Sequence, residues 1–375
     1  MTSVPNGWKS IELDQIVDFA NGKPLEGSVT ADGIVNLITL DSIDIQGNLK
    51  SDHKKIKNSD GSLRAGDIVS VLSDLAHGNL LGLSAVIPHG AEFSLNQRMG
   101  RLRTKGDNSP EFIRLAVNFN QKYFKERGQG TSQRHIYRRD FDQLEILLPP
   151  EDEQKVIAEA LSDIDEFILA SRRLFRKKID VMDSLLGELV SGQYFKKIGA
   201  GARFETIKNL GIEVKKGELI TEKTAIEGEV PVIAGGVSAA YYHNTPNRTG
   251  ITVTISASGA NAGYVNVWRQ PIWASDCSTI NESAIFDVRY LYYILKGNQK
   301  NIYRSQYGGA QPHVRPNEIQ KIVIPWTEKN TQKEIADLLD DFSNEIKDLE
   351  TSIQKCVSLK HGMMNDLLTG KVRFV

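Results

Sequence analysis

A basic and aromatic stretch at residues 121–139 is the part of this chain best suited to chemistry, and that chemistry is binding. It reads QKYFKERGQGTSQRHIYRR, in which six lysines and arginines outweigh one glutamate and alternate with three aromatic residues. Arginine and glutamine suit base-edge contacts to guanine and adenine, and lysine suits phosphate. The candidate contacts to nucleic acid are Lys125, Arg127, Gln133, Arg134, His135, Arg138 and Arg139. The alternative is a solvated helix face whose charges contact nothing.

A shorter phrase from this stretch occurs a second time. Gln133 and His135 recur as Gln311 and His313, 178 positions later, and Arg315 follows the second copy. We include all three residues of the second copy among the candidate contacts. A turn that holds each domain together would explain the repetition equally well.

Three further groups have weaker signals. Lys54, Lys55 and Lys57 form a small basic cluster, which is usually a solvated face. The other candidates are Tyr241, Tyr242, Asn244 and Arg248 in a turn-rich stretch, and Ser258 and Asn261 in a loop of small residues. The paired tyrosines are as compatible with a strand end in the core as with an interface. Arg101 and Arg103 share one face of a predicted strand, which favours an exposed edge protected by charge over a groove for DNA.

Signatures of catalysis are missing from the sequence. There is no GxxxxGK[ST] phosphate loop, and the run Leu148–Glu151 (LPPE) lacks the amide that an amino-methyltransferase site places there. The seven histidines are scattered, and the two cysteines, Cys277 and Cys356, have no metal-ligand spacing. We therefore expect no catalytic residue and no metal site in this chain.

The elements that must position these residues are organised by an internal repeat. Residues 154–193 align without a gap on residues 332–371, and both copies place apolar residues at alternating steps of four and three. That spacing is typical of a coiled-coil seam. The seam residues predicted to join the two helices, and to contribute to partner binding, are Ile157, Leu161, Ile164, Ile168, Ile335, Leu339, Phe342 and Ile346. The alternative is that each helix packs on its own domain.

Details of the two repeats predict how each helix ends and pairs. Gly192 and Gly370 stand where a left-handed cap would end each helix. Lys178 and Lys360 interrupt the seam, where a polar residue can fix the register of a helix pair. Each helix would be a rod of roughly 55 Å.

Around the helices, the sequence predicts two domains rich in short strands. We predict an α+β fold with β-rich domains at residues 1–148 and 194–325, and helices at 149–193 and 326–375. The two helices would be antiparallel, and the whole would be a tandem repeat with a pseudo-twofold axis.

Length, charge and composition limit the number of domains, the kind of binding surface and the location that we expect. A chain of 375 residues is long enough for two or more domains, and a net charge of −1 requires any nucleic-acid surface to be local. The sequence shows no apolar span for a membrane and no signal peptide, and two distant cysteines fit a reducing compartment, so we expect a cytoplasmic protein.

The phrases around the helices resemble a known family. LLPPEDEQKVIAEALSDIDEFI with LLGELVSGQ, and IVIPWTEKNTQKEIADLLDDFS with MMNDLLTGKVRF, are similar to the helical regions of Type I restriction–modification specificity subunits. Gly7-Trp8-Lys9 and Arg203-Phe204-Glu205 resemble the openings of that family's target recognition domains, although tryptophan is more usual in the second. The resemblance covers essentially the whole chain.

The resemblance implies a division of labour. Each recognition domain would read one half of a split site in double-stranded DNA, while the helices set the gap and dock two methyltransferase subunits. Restriction–translocase subunits would join that core. S-adenosylmethionine, ATP and Mg²⁺ would bind only to the partner subunits, and the chain itself would be non-catalytic.

Two other functions remain open at this point. A non-catalytic coiled-coil scaffold for proteins, without nucleic acid, fits the net charge. A self-sufficient nuclease or methyltransferase fits poorly, because the motifs that it needs are missing.

Overall fold

The computed structural model describes residues 4–75, 78–308 and 311–374. Contacts between residues divide the chain into two compact units. The first unit comprises residues 1–170 with 353–375, and the second comprises residues 171–352. Each unit therefore contains one β-rich domain, the start of one long helix and the end of the other.

The β-rich domain of the first unit has eleven strands among its described residues. They are β1 (Lys9–Glu12), β2 (Val17–Asn21), β3 (Val35–Ile38), β4 (Lys54–Ile56), β5 (Ile68–Val71), β6 (Ser73–Leu75), β7 (Ser84–Val86), β8 (Phe93–Leu95), β9 (Met99–Thr104), β10 (Gln133–His135) and β11 (Glu145–Leu148). Its helices are α1 (Pro110–Phe119), α2 (Gln121–Arg127) and α3 (Arg138–Asp142). The long helix α4 (Glu151–Ser191) follows.

The domain of the second unit repeats this series with fewer strands. After α5 (Gln193–Lys197) come β12 (Arg203–Thr206), β13 (Lys215–Lys216), β14 (Val230–Ile233), β15 (Tyr241–His243), β16 (Thr252–Ser256), β17 (Val265–Trp268), β18 (Trp273–Ala274) and β19 (Cys277–Asn281). Then follow α6 (Val288–Gly297), α7 (Gln299–Arg304), α8 (Pro316–Gln320) and β20 (Val323–Trp326). The second long helix is α9 (Lys329–Leu368).

The two domains share one sheet topology. The first has a four-stranded sheet in the order β2-β9-β5-β7 and a three-stranded sheet in the order β4-β3-β8. The second has β13-β19-β16-β17 and β15-β14-β18. Both three-stranded sheets contain one parallel pair, β3 with β8 and β14 with β18. This correspondence confirms the predicted α+β tandem repeat.

Sequence explains why the helices of each domain form where they do. Ser109 precedes α1 and its hydroxyl accepts a hydrogen bond from Phe112 N, with Pro110 in the first turn. Asp287 caps α6 in the same way by accepting from Arg289 N. Pro110 and Val288, the first residues of the two helices, are 178 positions apart, so the offset found in the long helices extends into the domains.

Both long helices contribute to the domain cores as well as to each other. In the first unit, Ile157 and Leu161 of α4 share a buried cluster with Leu367 and Leu368 of α9 and with the domain. Lys360 Nζ lies 2.6 Å from Asp165 Oδ1 in the same unit. The first turns of α4 therefore also pack on the domain of their own unit, as the alternative interpretation predicted.

The second unit has the equivalent arrangement. Ile335 and Leu339 of α9 are buried with Leu186 and Leu189 of α4. Lys178 Nζ lies 2.6 Å from Glu345 Oε2, and it also lies 4.8 Å from the centre of the Phe342 ring. In each unit the early residues of one helix contact the late residues of the other, which confirms the antiparallel pairing. Lys178 and Lys360 both make cross-helix ion pairs, as expected for polar seam positions.

The remaining seam residues are partly covered. Ile168 is buried, whereas Ile164, Phe342 and Ile346 are half-buried. Gly192 and Gly370 adopt φ values of 77° and 66°, so both left-handed caps are present.

One prediction about the first domain is wrong. Arg101 and Arg103 lie on β9, which pairs with β2 on one side and with β5 on the other, so this strand is not an edge. Arg103 donates to both carboxylate oxygens of the buried Asp67, at 2.7 and 2.8 Å. Burial, and secondarily the charge of Arg103, lowers the pKa of Arg101. Arg101 and Arg103 therefore lie on an inner strand of the sheet and do not protect an exposed edge.

Candidate nucleic-acid interface

The repeated Gln-x-His phrase forms a closed hairpin in the first domain. Gln129 N donates to His135 O at 2.9 Å and His135 N donates to Gln129 O at 2.8 Å. Gly130 turns the chain with a φ of 111°, and a Cβ there would lie 2.1 Å from Gln133 O. Only glycine fits such a position. We call residues 129–135 the first hairpin.

The second domain contains the same hairpin at the same offset. Tyr307 N donates to His313 O at 3.1 Å and His313 N donates to Tyr307 O at 2.9 Å. Gly308 has a φ of 90°. We call residues 307–313 the second hairpin. Gln311 is exposed, and residues 309–310 lie outside the described part of the chain.

Side chains on the inner part of the first hairpin are structural. Arg134 donates from Nε and Nη2 to Gly128 O, at 3.2 and 2.6 Å. His135 Nδ1 lies 2.7 Å from Ser73 Oγ, across the pairing of β10 with β6. These contacts hold the hairpin shut, which agrees with the turn interpretation of the phrase. Gln133 is half-buried beside Leu75, whose side chain is exposed.

Stacked arginines surround the first hairpin. The guanidinium of Arg127 lies 3.7 Å from the centre of the Tyr123 ring, and that of Arg139 lies 5.7 Å from Tyr137. An arginine stacked on an aromatic ring keeps its N–H donors directed outward in one plane. Tyr137 and Arg139 also line a shallow cleft of about 380 Å³, together with Gln129 and Arg138.

Acidic neighbours neutralise only some of these cations. Arg138 Nε lies 3.1 Å from Asp142 Oδ2, and Arg139 is 4.0 Å from Asp140. Within the described ranges, Lys125, Arg127 and Arg134 have no carboxylate within 4.0 Å. Lys125 Nζ instead donates to Asn79 Oδ1 at 2.8 Å. The segment of residues 121–139, which contains the first hairpin, thus has a local excess of positive charge despite the balanced total of the chain.

The second hairpin also carries an arginine–tyrosine pair. The Arg315 guanidinium lies 4.5 Å from the centre of the Tyr307 ring and donates to its hydroxyl. The His313 ring is 5.8 Å from the same tyrosine. Tyr307 and Arg315 occupy the positions that Gln129 and Tyr137 occupy in the first domain, each 178 residues earlier.

The loop at residues 258–261 supports the second hairpin. Ser258 pairs with His313 through the backbone, and Gly259 N donates to Pro312 O at 3.1 Å. The Ser258 hydroxyl donates to Asp276, and Asn261 O accepts from Tyr264 N at 2.9 Å. This candidate loop, predicted from its small residues, therefore lies next to the second hairpin, and the Ser258 hydroxyl is engaged within the domain.

Arg248 has a structural role that the sequence did not predict. Its guanidinium donates to Thr279 Oγ1, Asn247 O and Lys216 O at 2.8–3.0 Å, and its side chain is 11% exposed. These contacts engage the guanidinium within its own domain, so we do not include Arg248 among the proposed DNA contacts.

The tyrosine pair beside it lies on a strand. Tyr241 is on β15 and its hydroxyl donates to Ile220 O at 2.5 Å, whereas Tyr242 is 56% exposed. Asn244 is exposed just beyond this strand. Tyr242 and Asn244 are therefore the exposed members of this group.

The lysine cluster is on the other sheet of the first domain. Lys54 and Lys55 lie on β4, and Lys54 pairs with Glu26 at 3.3 Å while Lys57 pairs with Asp32 at 2.9 Å. Lys55 is exposed and has no carboxylate within 4.0 Å among the described residues. The structure does not bring this cluster into contact with the first hairpin.

Sequence reasoning missed the aromatic partners of the arginines. Tyr123, Tyr137 and Tyr307 were not among the candidate contacts. The offset of 178 positions makes Tyr307 equivalent to Gln129, so aligning the two complete hairpins could have pointed to Tyr307. Among the described residues, no group of three or more histidines, cysteines, aspartates and glutamates is arranged to hold a metal ion. No helix in the same ranges is both long enough and apolar enough to cross a membrane.

The fold and the two hairpins define a duplicated α+β protein with one candidate interface in each domain. The family model of the Type I restriction modification DNA specificity domain matches the chain twice, at residues 5–174 and 205–358. Because these matches cover most of the chain, it belongs to this family of specificity subunits, whose function is DNA sequence recognition.

Known proteins agree with this placement. The chain is 22% identical over 433 residues to the Type I restriction enzyme MjaVIII specificity subunit of Methanocaldococcus jannaschii, covering 99% of this chain and 94% of that protein. The crystal structure of the S subunit of a Type I restriction–modification system from M. genitalium has a TM-score of 0.70 at 17% identity, covering 98% of both chains.

A second solved structure concerns complex assembly and conformational transition of the Type I system. It has a TM-score of 0.59 at 15% identity, with 99% of this chain and 100% of that chain covered. Both structural likenesses support the fold.

Proposed function

We propose that each β-rich domain reads one half of a bipartite site in double-stranded DNA through its hairpin. The observation that carries the proposal is the recurrence, at one fixed offset, of a closed hairpin. Each hairpin also has an arginine–tyrosine pair beside it, formed by residues at different positions in the two copies. Planar guanidinium groups match the O6 and N7 acceptors of guanine in the major groove and also bind phosphate. The residues proposed to contact DNA are Lys125, Arg127, Gln133, Arg138, Arg139, Gln311 and Arg315.

The long helices serve two roles in this proposal. They set the gap between the two half-sites, because a helix of 41 residues is a rod of about 60 Å. They also dock two methyltransferase subunits, to which restriction–translocase subunits are added. S-adenosylmethionine, ATP and Mg²⁺ bind to those partners, and the specificity subunit itself is non-catalytic.

The first experiment is to co-express the chain with its methyltransferase partner and map methylated bases across a genome. A split motif with a fixed gap is the expected result. Replacing residues 1–148 by those of a relative should then change one half of the motif only. A stable complex that methylates no defined motif would instead favour the scaffold function.

Single substitutions at the hairpins sharpen this test. Arg315→Ala should relax the base preference of one half-site and lower its methylation about ten- to hundredfold, the factor expected for loss of one bidentate base contact. Arg127→Ala should affect only the other half-site. Lys122→Ala is the matched control, because this exposed lysine is already paired with Glu126 at 3.8 Å. A uniform effect of Arg315→Ala on every sequence would assign this residue to phosphate instead.

A further inference from the structure

A buried glutamine lies in the first turn of each long helix. Gln154 and Gln332 are 1% and 0% exposed and stand 178 positions apart. Gln154 Oε1 accepts from Ser109 N at 2.9 Å, and Gln332 Oε1 accepts from Asp287 N at 3.0 Å. Ser109 and Asp287 are the residues that cap α1 and α6. The amide oxygen of each glutamine therefore contacts the start of a domain helix.

The amide nitrogen of each glutamine contacts the segment that enters the long helix. Gln154 Nε2 donates to Pro149 O at 3.0 Å and to Asn108 Oδ1 at 3.1 Å. Gln332 Nε2 donates to Thr327 O at 2.9 Å. Each side chain thus joins the beginning of a domain helix, the beginning of a long helix and the strand-to-helix connection. Burial makes these bonds costly to lose, because the backbone groups would remain without partners.

We propose that Gln154 and Gln332 are positioning residues that fix the angle between each recognition domain and its long helix. They thereby determine which gap length the subunit accepts. None of the hydrogen-bond partners named above belongs to the first or the second hairpin. The inference rests on the proposed function, because gap length has meaning only if the two domains read half-sites.

In the second unit, charged side chains reinforce the glutamine. Arg289 of α6 pairs with Asp337 at 2.7 Å and with Asp340 at 3.0 Å, both on α9. Tyr293 OH donates to Asp340 at 2.7 Å, and Arg269 pairs with the same carboxylate at 2.5 Å. Domain and helix are therefore joined by several polar contacts in addition to Gln332.

The first unit has a different arrangement. Glu111 stands at the position of Arg289 and pairs with Arg114 of its own helix at 2.8 Å. Within the described residues of this unit, no ion pair joins α1 to α4. Glu153 of α4 binds Trp8 and Arg373, but neither contact reaches α1. Gln154 should consequently matter more than Gln332 for the angle between its domain helix and its long helix.

The test measures gap preference with the complete methyltransferase complex. Methylation rates are compared on DNA duplexes that carry the natural gap and gaps one base pair longer or shorter. Gln154→Met keeps the size of the side chain but loses its hydrogen bonds, and it should raise relative methylation of the altered gaps about tenfold, the factor for one or two lost bonds. Base identities in both half-sites should stay unchanged.

Companion variants separate positioning from simple destabilisation. Leu102→Ala weakens the core of the same domain at a fully buried residue of β9, away from the glutamine and from the helix seam, and it should lower the melting temperature while keeping the gap preference. Gln154→Glu keeps the acceptor for Ser109 N and should give an intermediate effect if Gln154→Met fails to fold. Gln332→Met should relax the gap less, and Gln332→Met with Arg289→Met should relax it more than Gln332→Met alone.

The outcomes distinguish the two proposals. An unchanged gap preference in a less stable Gln154→Met complex would overturn the positioning role and leave the bipartite function intact. Changed base identities would also overturn it. A wild-type complex indifferent to gap length would instead contradict the proposed function on which the inference rests.

Discussion

Glu153 is the most firmly held carboxylate near the start of α4. It accepts hydrogen bonds from Arg373 Nε and Nη2 at 2.6 and 2.8 Å, and from Trp8 Nε1 at 3.0 Å. Burial raises the pKa of Glu153, but the bonds from Arg373 and Trp8 outweigh it and hold the pKa below its usual value of 4.5. Glu153 therefore links the segments around residues 8 and 373 to the helix.

This geometry predicts an acid dependence of stability. A carboxylate whose pKa is lower in the folded state stabilises the fold above its unfolded pKa, and that stabilisation is lost as the pH falls through the folded pKa. We expect the free energy of unfolding of the wild type to fall more steeply below about pH 4.5 than that of Glu153→Gln. Denaturant unfolding at pH 7 and at pH 3.5 measures the difference. Parallel pH profiles for the two proteins would show that this pair contributes nothing to stability.

At the residue scale, the sequence pointed to polar and charged segments, but it did not predict which of their side chains bind within their own domain. Arg134 and Arg248 are both in polar stretches, yet their guanidinium groups bind backbone carbonyls of their own domains. The partners of Arg248 lie up to 32 positions away, and the sheet that encloses Arg101 unites strands from distant segments. Such contacts depend on tertiary structure, which composition and local spacing do not encode.

Two ion pairs across the helices differ in burial, and this difference can be tested. Lys360 and Asp165 have side chains 14% and 17% exposed, whereas Glu345 in the other pair is 60% exposed. Lys360→Met should cost about 1–3 kcal/mol, because it leaves a partly buried carboxylate without its partner. Lys178→Met is the control and should cost less than about 1 kcal/mol. Chemical denaturation of both variants gives the comparison, and equal losses would contradict the role of burial.

Elements were the most predictable level of this structure. The heptad spacing and the glycine caps predicted both long helices, and two seams of equal length separated by about 140 residues favoured their antiparallel pairing. The spacing did not indicate that Ile157 and Ile335 would be buried in domain cores, because an apolar stripe has the same period whatever surface covers it. The short strands were predicted as a class, but their order in the sheets follows from long-range pairing.

At the scale of the molecule, the compact units do not follow the chain in sequence. The first unit needs residues 353–375 from the far end of the chain, and the second takes in the last part of α4 and the first part of α9. The repeat predicted four consecutive segments, and their boundaries at 148, 193 and 325 stay a prediction. An internal repeat identifies the duplicated segments, but it does not show which distant segments of the chain pack into one core.

This sharing predicts the behaviour of a fragment. Residues 1–193 lack Leu367 and Leu368, which are 4% and 5% exposed in the core of the first unit. A synthetic peptide of residues 353–374 should bind this fragment and raise its melting temperature by about 5 °C, since it restores buried apolar surface. A peptide with Leu367→Ala and Leu368→Ala is the control. No shift with the natural peptide would mean that these contacts contribute little.

The two cysteines differ in a way that is useful at the bench. Cys277 on β19 is fully buried, and burial raises the pKa of its thiol to about 12, so almost no reactive thiolate exists at neutral pH. Cys356 on α9 is half-buried on a long helix of the first unit. A maleimide dye should therefore attach at a single native position, and the chain can be followed by fluorescence during assembly without any engineered label.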